Sequence, residues 1–152
     1  TGKRIPRPEG LPECLLTERA GCFVTLHKLG ELRGCIGTIA PTQPCLADEI
    51  IHNAVSAAAR DPRFPAVRAG ELDDIDCSVD VLAAPEDIAD ESLLDVKEYG
   101  VIVTRGGRRG LLLPNLDGVD TVADQVAIAR RKAGIGPDEP VSLQRFKVTR
   151  YH

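Results

Sequence analysis

The order of secondary-structure signals constrains this chain more than any single motif. Gly21-Cys22-Phe23-Val24-Thr25-Leu26-His27-Lys28 is rich in strand-favouring residues, Leu29-Gly30-Glu31 supplies a turn, and Leu32 to Gly37 returns as a second strand. Pro41-Thr42-Gln43-Pro44 then opens a helix over roughly residues 44–60, with Thr42 as its N-cap and Pro62 as its stop. Over residues 74–82, Ile75, Cys77, Val79 and Val81 alternate with Asp76, Ser78 and Asp80. That is the pattern of a half-buried strand, and it puts Cys77 in the core. Next, residues 99–104 and 108–113 flank Gly106-Gly107, a two-residue hairpin signal. Thr121 caps a second helix with Val122, Val126, Ala129 and Ala133 on one face. Arg130, Arg131 and Lys132 lie in its last turn, where the helix dipole favours cations, and Gly134 suits its end. Residues 141–151 read as one final strand.

The resulting order is hairpin, helix, strand, hairpin, helix, strand. Parallel strand–helix–strand alternation is not sustained. The expectation is an α+β fold with a mixed, largely antiparallel sheet and about two main helices. A length of 152 residues favours one domain, with residues 21–152 as its body. Residues 1–20 form an irregular, proline-marked entry with a helical turn near Glu13–Leu16. No internal repeat is visible. Aromatic residues are scarce (three Phe, two Tyr, no Trp), so the core is built mainly from Val, Leu, Ile and Ala.

Charge and cysteine usage exclude several classes. A net charge of −4 repels a phosphate backbone and disfavours nucleic acid, despite the local basic runs at 105–109 and 130–132. The five cysteines are odd in number and irregularly spaced, with no C-x-x-C pair. They suggest neither a disulfide framework nor a zinc ribbon, so no metal is expected, and reduced thiols point to the cytoplasm. No cofactor-binding motif occurs, and no apolar run approaches the roughly 20 residues that span a bilayer.

The sharpest chemical feature is Leu32-Arg33-Gly34-Cys35-Ile36-Gly37. In an extended chain Arg33 and Cys35 share a face, and a cation near a thiol favours the nucleophilic thiolate. Glycine on both sides of Cys35 weakens the strand and calls for a backbone or ligand at close range. The alternative is a small buried Cys35, with Arg33 paired to Glu49 or Asp61. His27, His52 and His152 are the only histidines, and no spacing brings one to Cys35. The second feature is a polar stripe on the first helix: Glu49, Asn53, Ser56 and Arg60, continuing into Asp61 and Arg63. Such stripes are commonly solvated faces. This one ends in the rigid Asp61-Pro62-Arg63-Phe64-Pro65 turn, which suits a structural ion pair or an anion site.

Taken together, Gly21 to Leu26, Leu32 to Thr38, Asn53 to Pro65 and Gly107 to Pro114 resemble successive blocks of the AMMECR domain family. The segments 131–135 and 146–151 continue the match. Prokaryotic members of that family are described as protein A of an AmmeMemoRadiSam system, beside a Memo protein and a radical SAM enzyme. The resemblance implies an α+β fold in two subdomains, with a cleft lined in part by the Leu32–Gly37 segment. It carries over Arg33 and Cys35, together with Asn53, Asp61 and Arg63, and it implies no established reaction. It also implies a further helix before Thr1, as in a trimmed chain or one domain of a longer Memo fusion. Three readings follow. One is an accessory, small-ligand-binding protein working with a radical SAM enzyme and a Memo-type protein. Another is a cysteine-dependent enzyme using Cys35, with Arg33 holding an anionic substrate. The weakest is a nucleic-acid-binding module.

Overall fold

The computed structural model describes residues 5–116 and 118–152. After a short helix α1 (Glu13–Thr17), strands β1 (Cys22–Lys28) and β2 (Glu31–Gly37) form the first hairpin, followed by α2 (Leu46–Ala59) and β3 (Ile75–Leu82). Beyond the short β4 (Glu86–Ile88), β5 (Gly100–Arg105) and β6 (Arg108–Leu112) form the second hairpin. Then come α3 (Val122–Ala133), β7 (Ser142–Phe146) and β8 (Val148–Tyr151). Short 3-10 turns occupy Ala69–Asp74 and Glu91–Leu93. The strands make two four-stranded sheets, ordered β2-β1-β3-β8 and β4-β7-β5-β6. Every described pairing is antiparallel. The fold is α+β, with two long helices.

The chain divides into two compact units. One runs to Leu82 and takes in Thr149–His152, and the other is Ala83–Val148. Residues 141–151 are therefore not one strand. The segment breaks at Lys147, β7 pairing with β4 and β5 while β8 joins the first sheet. Unbroken β-propensity says nothing about a change of partner.

The units repeat one plan that residue identity conceals. In each, a hairpin is followed by a helix that packs on both its strands, and then by a third strand beside the first. Leu26 pairs with Gly34 and Cys77, as Val103 pairs with Gly110 and Leu143. A Cβ on Gly34 would lie 2.3 Å from the Ala57 carbonyl oxygen, and one on Gly110 would lie 2.0 Å from that of Ala129. Each glycine lets a helix backbone settle directly onto a strand. One helical turn before each alanine, a buried amide ties the helix to the first strand. Asn53 Nδ2 donates to the Cys22 carbonyl (3.0 Å), and Gln125 Nε2 donates to that of Tyr99 (2.9 Å). Cys22 and Tyr99 both lie four residues before the strand residue that faces the glycine. Glycine and alanine are retained while nearly everything between them differs, so the sequence shows no repeat.

Each core lies beneath its helix. Val24, Leu26 and Ala57 anchor one, with Ile36, Ile50, Ala54, Ile75 and Val79 packed against them. The other gathers Val101, Val103, Leu112, Val126, Ala129 and Ile135. Thr121 caps α3 by accepting from the Asp124 amide, and Gly134 ends it at φ 69°. At α2, by contrast, Cys45 rather than Thr42 occupies the N-cap, and no side chain caps the helix. Cys77 is exposed, against the expectation from alternation. Its side is the apolar one, but α2 packs on β1 and β2 and leaves this part of β3 uncovered.

Candidate functional site

Strand register builds a polar surface on the sheet face opposite α2. Thr25 pairs with Cys35 on one side and Ser78 on the other, and Phe23 pairs with Gly37 and Asp80. Side chains two apart share a face, so Cys35, Thr25, Ser78, Phe23 and Asp80 stand together. Thr25 Oγ1 and Cys35 Sγ are hydrogen-bonded at 3.3 Å, and Cys35 is half-buried. The flanking glycines have local causes. Gly34 admits the α2 backbone, and Gly37 lies under the Phe23 ring, 2.3 Å from where a Cβ would sit.

Two arginines border this face, one of them bonded to the Cys35 backbone, and each is held by a buried aspartate. Strand β2 is an edge, and the Asp61-Pro62-Arg63 turn closes it. Asp61 Oδ2 accepts from the Cys35 amide (3.0 Å), and Arg63 Nη2 donates to the Cys35 carbonyl (3.3 Å). Arg63 also grips Asp61 through Nε (3.0 Å) and Nη2 (2.7 Å). Across the sheet, Arg150 of β8 donates from Nε and Nη2 to Asp80 at 2.7 and 3.3 Å. The two aspartate side chains are each 2% exposed, whereas those of Arg63 and Arg150 are 55% and 41% exposed. The hydrogen bonds from Arg63 hold the Asp61 carboxyl well below the usual range, against the opposing effect of its burial. Both guanidiniums are raised, first by these aspartate bonds and in smaller part by attraction to the Cys35 sulfur.

Arg33 has a different partner from either one expected. A bulge between Leu26 and His27 leaves it without a facing residue on β1. Its Nε and Nη2 donate to Glu71 at 3.1 and 3.2 Å, and Lys28 joins the same carboxylate at 3.0 Å. Arg33 Nη1 is buried and has no hydrogen-bond partner among the described residues. Arg63, not Arg33, is the arginine bonded to Cys35, and Arg150 holds Asp80 on the same sheet face.

The helical polar stripe is internal rather than solvated at Glu49, Asn53 and Ser56, and only Arg60 at its end is exposed. Glu49 is 0% exposed, Asn53 1% and Ser56 7%. Glu49 accepts from the Thr42 and Gln43 amides (2.9 and 2.7 Å) and from the Thr38 and Thr42 hydroxyls (2.6 and 2.8 Å). Burial alone would raise its pKa, but these four bonds outweigh burial and lower it. The loop that looked like a helix cap is an anion nest filled by the protein's own carboxylate. Asn53 also reaches the Cys22 sulfur and Thr38. Glu49, Asn53 and Ser56 hold the fold and offer no open ligand contact.

Of the residues singled out from sequence, the structure thus assembles Cys35, Asp61 and Arg63. Thr25, Asp80 and Arg150 were missed. Alternation had placed Asp80 and Ser78 on one polar face, which was the available signal; nothing local marked Arg150. His52 is exposed on α2. Among the described residues no group of three or more His, Cys, Asp or Glu could hold a metal ion, and no helix is long and apolar enough to cross a membrane. A surface depression of about 740 Å³ in the second unit, bordered by Asp124, Arg130 and Arg131, includes no cysteine, serine or histidine.

Fold and site define a class: an α+β protein of two hairpin–helix units, with aspartate-anchored arginines beside a cysteine. The chain belongs to the AMMECR1 family, which matches residues 1–152. A Thermotoga maritima protein is 58% identical over 152 residues, covering 99% of this chain and 87% of its own length. A Clostridium acetobutylicum protein is 51% identical over 152 residues, and this chain spans 32% of it. Among solved structures, uncharacterised protein PH0010 of Pyrococcus horikoshii superposes with a TM-score of 0.88 at 35% identity. That match covers 99% of this chain and 81% of the other.

Proposed function

We propose that the protein binds a small anionic molecule at Cys35, as an accessory subunit working beside a radical SAM enzyme and a Memo-type protein. One observation carries the ligand part: on the sheet face of the half-buried Cys35 stand two outward guanidiniums, Arg63 at the Cys35 carbonyl and Arg150 at Asp80, each fixed by a buried carboxylate. Fixing long side chains in advance removes the ordering cost that a ligand would otherwise meet, which is what a binding site requires. The partnership rests on family membership alone. Recovery of the protein from its native host, with bound small molecules and proteins identified by mass spectrometry, tests both halves. An anion lost from an Arg63→Gln variant that remains folded supports the ligand half. Equal recovery from both forms sinks it.

A second reading is favoured by the Thr25–Cys35 hydrogen bond, which orients a thiol in a cationic setting. Cys35 would then act as a nucleophile. Replacing Cys35 with Ser separates the two readings. An enzyme loses nearly all turnover, because a serine hydroxyl is scarcely ionised at neutral pH, whereas a binding protein keeps its ligand with modest loss.

A further inference from the structure

We infer that the anion bound at Cys35 carries a planar aromatic ring, which packs against Phe23; the inference rests on the anion-site reading above. The Phe23 ring leans across the sheet toward the cysteine's own strand. Its Cγ and Cδ1 lie 2.3 and 2.5 Å from where a Cβ on Gly37 would sit, so the ring fills the space of the side chain that residue 37 lacks. Thr25 faces Cys35 and Phe23 faces Gly37, which puts ring and thiol in neighbouring rows of one sheet face. A strand rises about 3.3 Å per residue, so the ring lies roughly 7 Å along β2 from the thiol. Phe23 is only half-buried there, and neither described core includes it.

Aromatic side chains are scarce in this chain, and their placement is uneven. Of the three phenylalanines, Phe146 is 1% exposed, whereas the other two border Cys35 and stay partly open. Phe64 belongs to the turn that closes the β2 edge, its amide donating to the Asp61 carbonyl at 3.2 Å. Arg63 links that ring to the cysteine. Its Nη2 donates to the Cys35 carbonyl at 3.3 Å, and its guanidinium carbon lies 5.5 Å from the Phe64 ring centroid. Small-molecule sites are lined mainly by apolar and aromatic groups, with a few polar ones that fix orientation. Two rings supply the former here, and the Arg63 guanidinium and Thr25 hydroxyl supply the latter. A ring placed offset or edge-on to another ring gains more than its buried area alone provides. A saturated ligand would gain only the area.

The assay is alkylation of Cys35 by N-phenyliodoacetamide and N-cyclohexyliodoacetamide, which share a reacting group and differ in a planar against a puckered ring. In both, the thiolate displaces iodide and forms a C–S bond. Rates are followed at the Cys35 peptide by mass spectrometry. The phenyl-to-cyclohexyl ratio in the native protein is compared with that of the same chain unfolded in urea, and the native ratio is expected to be about threefold to tenfold higher. Phe23→Leu keeps an apolar group over Gly37 and brings the ratio down to the unfolded value, whereas Phe23→Tyr retains it. Both reagents meet the same thiol, so a general change in accessibility cancels from the ratio. Equal ratios in native and unfolded chains overturn the inference, as does a preference that survives in Phe23→Leu. A second arm needs no variant: benzoate and cyclohexanecarboxylate, equal in charge, compete with iodoacetamide at Cys35 of the native protein. Benzoate protects at the lower concentration. Equal protection overturns the inference and leaves the anion site standing, and protection by neither sinks the anion site as well.

Discussion

Replacing Gly34 by alanine tests the contact on which the first unit is built. The new methyl carbon would sit 2.3 Å from the Ala57 carbonyl oxygen and 3.2 Å from its carbonyl carbon, whereas real Cβ atoms essentially never come within 3.0 Å. The obstacle is helix backbone, so no side-chain rotation relieves it. Strand and helix must part by about 0.7 Å at least, and overpacking of this kind costs roughly 1–3 kcal/mol, occasionally more. Gly34 does not have a positive φ, so alanine also stabilises by restricting the unfolded chain, by about 0.4–1 kcal/mol. With strain at the upper end, because backbone meets backbone, the net loss is about 2 kcal/mol. For a chain of this size that lowers Tm by roughly 4–8 °C. The same displacement moves α2, whose C-terminal end leads into Asp61, and lengthens the Asp61–Cys35 bond. Thermal unfolding by circular dichroism, with native alkylation of Cys35 alongside, reads both effects. A variant that melts within 1–2 °C of the parent, with unchanged Cys35 labelling, would refute the claim that the Gly34–Ala57 contact sets the helix position.

Asn53→Ala removes the amide joining α2 to the Cys22 carbonyl, the Cys22 sulfur and Thr38, leaving the Cys22 carbonyl only its bond from the Thr38 amide. Urea unfolding is expected to show a loss of about 1–3 kcal/mol, and an unchanged midpoint would mean that the amide is replaceable. In the native protein, iodoacetamide is expected to modify exposed Cys14 and Cys77 while sparing buried Cys22 and Cys45; burial pushes the Cys22 thiol up to about 11. Rapid native labelling of Cys22 would contradict this register. Hydrogen bonds from Arg33 lower the Glu71 carboxyl from 4.5 to about 2. Because the folded-state value is the lower one, its stabilising effect is full above pH 4.5 and fades as pH falls toward 2. The stability gap between the parent and Glu71→Gln should accordingly narrow over that interval. A gap independent of pH would show that Glu71 does not act through its charge.

Sequence by itself determined the elements whose causes are local. Alternation defines β3, Thr121 and Gly134 bracket α3, Gly106-Gly107 turns the second hairpin, and Pro62 stops α2. The Asp61-Pro62-Arg63 turn was legible because proline fixes the backbone within three residues. Tertiary structure decided everything that depended on coverage or on a partner far along the chain. Periodicity assigns a residue to a face but does not say what lies over that face. Cys77, on the apolar side of β3, is therefore exposed, while Asp80, on the polar side, is buried against Arg150, seventy residues away. The helical stripe of Glu49, Asn53 and Ser56 reads as solvated because its partners, backbone groups and hydroxyls of the segment before the helix, meet it only in the folded chain. Arg33 stands two residues from Cys35, yet one bulge sends it to Glu71, and the guanidiniums bound to the Cys35 carbonyl and to Asp80 arrive from a turn and from the last strand. The repeated plan hides for the same reason. It is fixed by a glycine, an alanine carbonyl and a buried amide, three contacts that exist only once helix and strand have met.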